Sequence, residues 1–353
     1  MARIAVIPGD GAGVEVVKAA LPLLELINQQ HGLGLHFEHF DFGADRYLRT
    51  GESLPPGQIE TFRKDFDAIL FGAVGDPRVP GQVHARDILL GLRFGLDLYV
   101  NFRPCRLMDD RLSPLKDKGR KEIDFVVFRE NTEGQYNGLG GIFKKGTPDE
   151  LAISEEINTR KGVERIIRAA FEWAKKNGKT NVVMADKNNA IPAHELWIRT
   201  FREVSAEFPG IEAKHYYVDA LAMQLVLKPE LFQVIVTTNL FGDILTDLGA
   251  GLSGGLGVAA SASLNPESTP LFEPVHGSAP DIAGKGIVNP AAMLVTSALM
   301  LRELGHERSA RALENAVEKS VQDRRCTRDI GGTLSTGEAA AAIRENLEAE
   351  LFR

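Results

Sequence analysis

Ile4-Ala5-Val6-Ile7-Pro8-Gly9-Asp10-Gly11-Ala12-Gly13-Val14 is the stretch on which the fold turns. A short apolar run enters a glycine-rich turn, and an amphipathic pattern follows from Val14. That order reads as strand, turn, helix, and it invites a Rossmann dinucleotide site. The spacing refuses it. G-x-G-x-x-G needs a third glycine at position 14 or 16, and Val14 and Val16 stand there. Backbone N–H groups of such a turn can still approach an anion. A tight strand-to-helix connection is the simpler use of the same glycines.

Outward from this unit the chain keeps alternating. Strands are expected at Ile4–Ile7, Leu35–Asp41, Ala68–Phe71, Leu98–Phe102, Phe125–Phe128, Val182–Ala185, Ala213–Val218 and Val234–Thr237. Helices are expected at Val14–Gln29, Thr159–Lys175, His194–Glu207, Ile244–Leu252, Pro290–Leu304, Glu307–Val321 and Gly337–Glu350. The fold class is therefore α/β with mostly parallel pairing. Neither repeats nor a long linker interrupt it, so two domains would be interleaved. Lys144–Glu150 reads as an exposed turn or arm.

The 353 residues suit about two domains. A net charge of −7 with no basic stripe argues against a nucleic-acid partner. The densest basic stretch, Lys116–Lys121, reads as a solvated turn. Cys105 and Cys326 form neither a metal-type nor a redox-type pair, which suits a reducing cytoplasm. The N-terminus lacks the order of a secretory signal, and no apolar run is long enough to span a bilayer.

Between Lys228 and Lys285 there is no Lys or Arg. Within that interval Asp243 and Asp247 would share one helix face. The neighbours Ile244, Leu245 and Leu248 suggest a largely buried helix. Two buried carboxylates need a counter-charge, and a hard divalent cation with oxygen ligands supplies one. The alternative is a solvated acid pair near a helix start. Arg93, Arg103 and Arg129 flank strand-like segments, and guanidinium forks suit carboxylates; ordinary salt bridges are the other reading. Lys187, at a strand end, is a candidate proton carrier or a surface lysine. Tyr136 is a candidate acid or a packed ring.

Together these pieces resemble the β-decarboxylating dehydrogenases, the family of isopropylmalate, isocitrate, homoisocitrate and tartrate/malate enzymes. The matching stretches are Pro8–Gly11, Leu92–Arg93 with Asn101–Pro104, Arg129–Tyr136, Asp186–Asn189, Tyr217–Ala220, Asn239–Asp247 and Glu273–Gly286. They cover essentially the whole chain, and the last is long and highly specific.

The resemblance implies a two-domain, non-Rossmann fold of the isopropylmalate/isocitrate dehydrogenase kind. Residues 1–98 and 255–353 would form the cofactor domain with both termini, and residues 99–254 the substrate, metal and dimerisation domain. It implies a homodimer whose active sites are shared. Arg93, Arg103 and Arg129 match the residues that hold the substrate carboxylates. Asp219, Asp243 and Asp247 match ligands of Mg2+ or Mn2+, with Asp219 and Lys187 coming from the partner subunit. Tyr136, Lys187 and Asp219 match the catalytic groups. Glu273, His276, Gly277, Ser278, Ala279, Asp281 and Asn289 match the cofactor site, and Asp281 on the ribose hydroxyls points to NAD. Leu89 and Leu90, with Asn189 and Ala190 beside them, match the substrate pocket. Their apolar wall favours 3-isopropylmalate, as in leucine biosynthesis, over tartrate or D-malate and over isocitrate or homoisocitrate. The motif Arg129–Gly134 reads closer to the isocitrate and tartrate/malate branches. A non-catalytic relative would have lost these groups, and here they are all present.

Overall fold

The computed structural model of the chain describes residues Met1–Leu351. The strands are β1 (Ala2–Gly9), β2 (Leu35–His39), β3 (Ala68–Ala73), β4 (Val100–Arg106), β5 (Asp124–Glu130), β6 (Gly140–Phe143), β7 (Leu151–Ser154), β8 (Asn181–Asp186), β9 (Glu212–Tyr217), β10 (Val234–Thr237), β11 (Ala260–Leu264) and β12 (Leu271–Pro274). The helices are α1 (Ala12–His31), α2 (Ala44–Thr50), α3 (Gln58–Asp65), α4 (Val83–Gly95), α5 (Arg160–Lys176), α6 (Glu195–Ser205), α7 (Val218–Leu227), α8 (Asn239–Leu252), α9 (Ala291–Glu303), α10 (Glu307–Gln322) and α11 (Thr336–Leu351).

The chain divides into two compact units. One holds Met1–Leu98, Arg103–Ile123 and the residues from Ala250 onward; the other holds Tyr99–Phe102 and Asp124–Gly249. Residues 103–123 and 250–254, expected in the second domain, thus belong to the first unit.

The strands of the first unit run in the order β2-β1-β3-β12-β11. β1 lies parallel to β2 and β3, β12 lies parallel to β3, and β11 is antiparallel to β12. Ile4–Ile7 are all fully buried, as a strand covered on both faces requires. α1 packs there because Val16, Val17, Ala20, Leu23, Leu24 and Ile27 recur at helical spacing on its buried side. Four phenylalanines, Phe40, Phe42, Phe62 and Phe66, meet edge-on or tilted beside Ile88 and Leu92 of α4.

In the second unit β5, β10, β8 and β9 form an all-parallel run. α5 covers it with Val163, Ile166, Ile167, Ala170, Phe171 and Ala174. Its N-terminus is capped by Thr159, whose side chain accepts from the Gly162 N–H. β6 and β7 pair as an antiparallel hairpin with Lys144–Glu150 at its tip, and every residue of both strands is exposed.

Four strands (β6, β7, β11 and β12) and several helices escape sequence reading. β11, Ala-Ser-Ala-Ser-Leu, has little β-propensity and forms because α9 covers it and β12 pairs with it. α7 is apolar nearly all round, so its helical period is hidden.

Candidate active site

The glycine turn is built for packing. A side chain at Gly9 or Gly13 would collide with the backbone of Ala73 in β3, and one at Gly11 with the carbonyl of Ser278. Gly9 and Gly11 also take positive φ, which glycine alone adopts cheaply. The Asp10 and Ala12 N–H groups donate to Ala73 and Ser278 carbonyls, so they are not turned toward an anion. The Asp10 carboxylate, 7% exposed, accepts from Ala44 N–H, Gly75 N–H and His84 Nε2 at 2.7, 2.9 and 2.9 Å. This hub was not visible in the sequence.

Also in the first unit, the loop that follows β12 carries most of the expected cofactor residues. His276 Nδ1 lies 3.0 Å from the Gly277 carbonyl. A carbonyl only accepts, so Nδ1 bears the proton and Nε2 presents a lone pair. That Nε2 is buried and has no partner. Burial, before all else, holds the imidazole pKa below its ordinary value. A buried acceptor awaiting a donor suits the amino-bearing base of a nucleotide. Ser278 is buried, Ala279 sits at φ +40°, and Gly277 and Asp281 are exposed. Asn289 is engaged within the fold, donating to Asp329 at 2.9 Å and accepting from the Ala291 N–H at 3.0 Å.

Glu273 closes β12 and is not open toward a ligand. It pairs with Arg93 of α4 at 2.8 Å, both side chains 9% exposed. The Arg93 Nε is buried without an acceptor. Arg103 lies buried in β4. On α4, Leu89 packs partly against the aromatic core, while Leu90 is half-buried outside that cluster.

In the second unit the expected groups fall into two constellations. The first joins Arg129, Tyr136 and Asp243. Arg129, at the end of β5, is 2% exposed. It donates through Nε and Nη2 to Asn239 Oδ1 at 3.1 and 2.7 Å, and through Nη1 to Asp243. Gly242 makes room for it, since a Cβ there would fall 2.5 Å from Arg129 Cγ. The Tyr136 hydroxyl donates to the other Asp243 oxygen at 3.1 Å, and the guanidinium lies 5.6 Å from the Tyr136 ring. Glu130 ties the turn leading to Tyr136 by accepting from Thr132 N–H, Thr132 Oγ1 and Glu133 N–H. Burial pushes its carboxyl pKa up.

α8 itself corrects an expectation. The helix was expected to be largely buried, yet Ile244 is 59% exposed and Asp247 is exposed too. Its buried side is made by Leu245, Thr246 and Ala250 instead. Asp247 thus opens to solvent, while Asp243 is half-buried with its oxygens bonded to Arg129 and Tyr136; carboxylate oxygens are hard donors of the kind Mg2+ or Mn2+ takes.

The second constellation pairs Lys187 Nζ with Asp219 Oδ1 at 2.6 Å. The lysine's hydrogen bond holds the Asp219 carboxyl below the usual range. Asn189 and Ala190 lie exposed in the loop after β8. Among the described residues no three His, Cys, Asp or Glu side chains gather into a metal nest. Asp219 does not join Asp243 and Asp247 within one chain.

A family model described as isocitrate/isopropylmalate dehydrogenase matches residues 3–343. The chain belongs to this family. It is thereby an oxidoreductase of the kind that acts on a CH–OH group with decarboxylation. A 3-isopropylmalate dehydrogenase of Thermobifida fusca is 46% identical over 96% of both chains. A tartrate dehydrogenase/decarboxylase of Pseudomonas putida is 45% identical over 98% of this chain and 97% of its own. The isocitrate dehydrogenase structure from Methylococcus capsulatus superposes with a TM-score of 0.89 at 37% identity, covering 98% of this chain and 99% of that one. The α/β fold expected from the sequence is that of the family.

Proposed function

We propose that the chain is an NAD- and divalent-metal-dependent dehydrogenase that oxidises and decarboxylates 3-isopropylmalate. The observation that carries this reading is the coexistence, in one unit, of Lys187 on Asp219 and of Tyr136 and Arg129 on Asp243. The first pair supplies a base and the second an acid beside a carboxylate-binding arginine.

Arg93, Arg103 and Arg129 hold the substrate carboxylates. Lys187, kept close by Asp219, takes the proton of the C2 hydroxyl. Tyr136 returns a proton to the carbon left after carbon dioxide departs. A divalent cation, if held by Asp243, Asp247 and the second copy's Asp219, would polarise the hydroxyl and offset the negative charge that develops on decarboxylation. NAD would be the hydride acceptor, held at its ribose hydroxyls by Asp281 and along the loop by His276, Gly277, Ser278 and Ala279; Glu273 and Asn289, bonded to Arg93 and Asp329, would brace that loop from within the fold.

A homodimer is part of the same reading. Asp219 is absent from the Asp243–Asp247 neighbourhood of its own chain, and a second copy would bring it there with Lys187. Exposed apolar side chains support this: Met223, Val226 and Leu227 on α7, Ile244 on α8, and Ile142, Phe143, Leu151 and Ile153 on the hairpin. A lone hairpin of this kind is marginal in water and needs cover. No helix among the described residues is long and apolar enough to cross a membrane. We place the enzyme in the cytoplasm, in leucine biosynthesis.

The relatives include both isopropylmalate and tartrate enzymes at nearly equal identity, so D-malate or tartrate is the second reading, with isocitrate and homoisocitrate behind it. Leu90 favours the branched alkyl substrate. NAD reduction with Mn2+ across these five acids decides. An isopropylmalate lead of about tenfold in kcat/KM, roughly 1.4 kcal/mol, upholds the proposal. A lead for an unbranched acid keeps the reaction and removes the substrate.

A further inference from the structure

We propose that His194 is the positioning residue for Lys187, acting on its backbone through a tautomer fixed by Glu156; this rests on the reading of Lys187 as the base. The Lys187 N–H donates to His194 Nδ1 at 3.0 Å. Nδ1 therefore carries a lone pair, and the ring proton is on Nε2, which donates to Glu156 Oε1 at 2.7 Å. His194 is fully buried, and Phe241 of α8 meets it edge-on at 5.7 Å. Glu156 is held in turn by Asn158 Nδ2 at 3.1 Å. Burial pushes the Glu156 carboxyl up, but the bonds from His194 and Asn158 bring it below the ordinary range, so it stays an acceptor.

The consequence falls on Lys187. Its carbonyl accepts from the Ala190 and Ile191 N–H groups at 2.9 and 2.8 Å, and His194 takes its remaining backbone group. With both backbone groups fixed, the side chain leaves the end of β8 in one direction and reaches Asp219. Neither Glu156 nor His194 hydrogen-bonds Asp219, so the polar link to Lys187 runs through its backbone N–H. Glu156 sits just past β7, so the root of the exposed hairpin is tied to the base by two hydrogen bonds.

Two substitutions separate this role from bulk stability. In His194→Asn the side-chain oxygen can replace Nδ1 as acceptor but no longer reaches Glu156. In His194→Gln the amide can replace Nε2 toward Glu156 but offers nothing to the Lys187 N–H. The expected result is a loss of about tenfold or more in kcat for the Gln variant, with KM for the hydroxy acid within about twofold, and an Asn variant within about threefold of wild type. A second readout is the acetylation rate of Lys187 in the full-length protein without substrate, followed by peptide mass spectrometry. It should rise in the Gln variant and stay at the wild-type value in the Asn variant. Equal losses in both variants, or an unchanged kcat and acetylation rate with only a lowered Tm, overturn the proposal. If Lys187→Met keeps its activity, the base assignment falls, and the acetylation rates still decide whether His194 positions the side chain.

Discussion

Arg93 Nη2 and Glu273 Oε1 meet at 2.8 Å inside the first unit, joining α4 to the end of β12. Two side chains expected to serve different ligands are thus bonded to each other. Each is 9% exposed, so neither can turn to water when the other is removed. Glu273→Ala should lower unfolding stability by about 3–5 kcal/mol, because it strands a buried guanidinium. Replacing both by apolar residues should cost clearly less than the sum of the single changes. Urea denaturation of the three variants measures this, and additive losses would refute the coupling.

Tyr136 is 36% exposed, and its hydroxyl donates to Asp243 at 3.1 Å. Tyr136→Phe should therefore leave stability within about 0.5 kcal/mol. If the hydroxyl delivers the proton to carbon, kcat should fall by about 10²–10⁴ with KM little changed. Steady-state kinetics beside a thermal melt decides; a drop in KM affinity with kcat intact would assign the ring to binding instead.

How much of this was legible beforehand differs by residue. The Glu273–Gly286 stretch pointed to the family, and the placing of Asp243 and Asp247 on one helix followed from their spacing, because both signals are local. The orientation of α8 could not: Leu245 and Ile244 are both apolar, and only the fold decides that the first is buried and the second is 59% exposed. The Arg93–Glu273 pair spans 180 positions and leaves no trace in either segment alone. His194 gave no signal, since a lone histidine seven residues after Lys187 has many commonplace uses. α4 was missed as a helix, yet it sets which of Leu89 and Leu90 can face a ligand.

The depressed pKa of His276 gives a pH dependence with a definite sign. The imidazole charges near pH 6.5 in the unfolded chain and only at lower pH in the folded one. Over that interval the unfolded state binds more protons, so stability falls as pH drops from about 6.5 through the folded value. Protonation also removes the Nε2 lone pair. NAD affinity, followed by fluorescence, should be level above about pH 6.5 and weaken below it. A His276→Gln variant should lose that pH dependence; if it keeps the wild-type slope, the group responsible lies elsewhere.

Leu89 and Leu90 separate on physical grounds. Leu89 packs against the aromatic core, so truncating it disturbs folding as well as any pocket, with a core Leu→Ala cost of about 2–5 kcal/mol as the upper bound. Leu90 is half-buried outside that cluster and is the cleaner probe. If it touches the isopropyl group, Leu90→Ala removes contact worth about 1–2 kcal/mol. That corresponds to roughly a five- to thirtyfold loss in kcat/KM for 3-isopropylmalate. D-malate has no alkyl branch, so its kcat/KM should hardly move. The ratio of the two specificity constants therefore reports the contact even if the variant is slightly less stable, because a folding defect lowers both rates together. A Leu90→Ala enzyme with an unchanged ratio would remove Leu90 from the substrate pocket and leave the choice of acid to the Arg129–Gly134 motif.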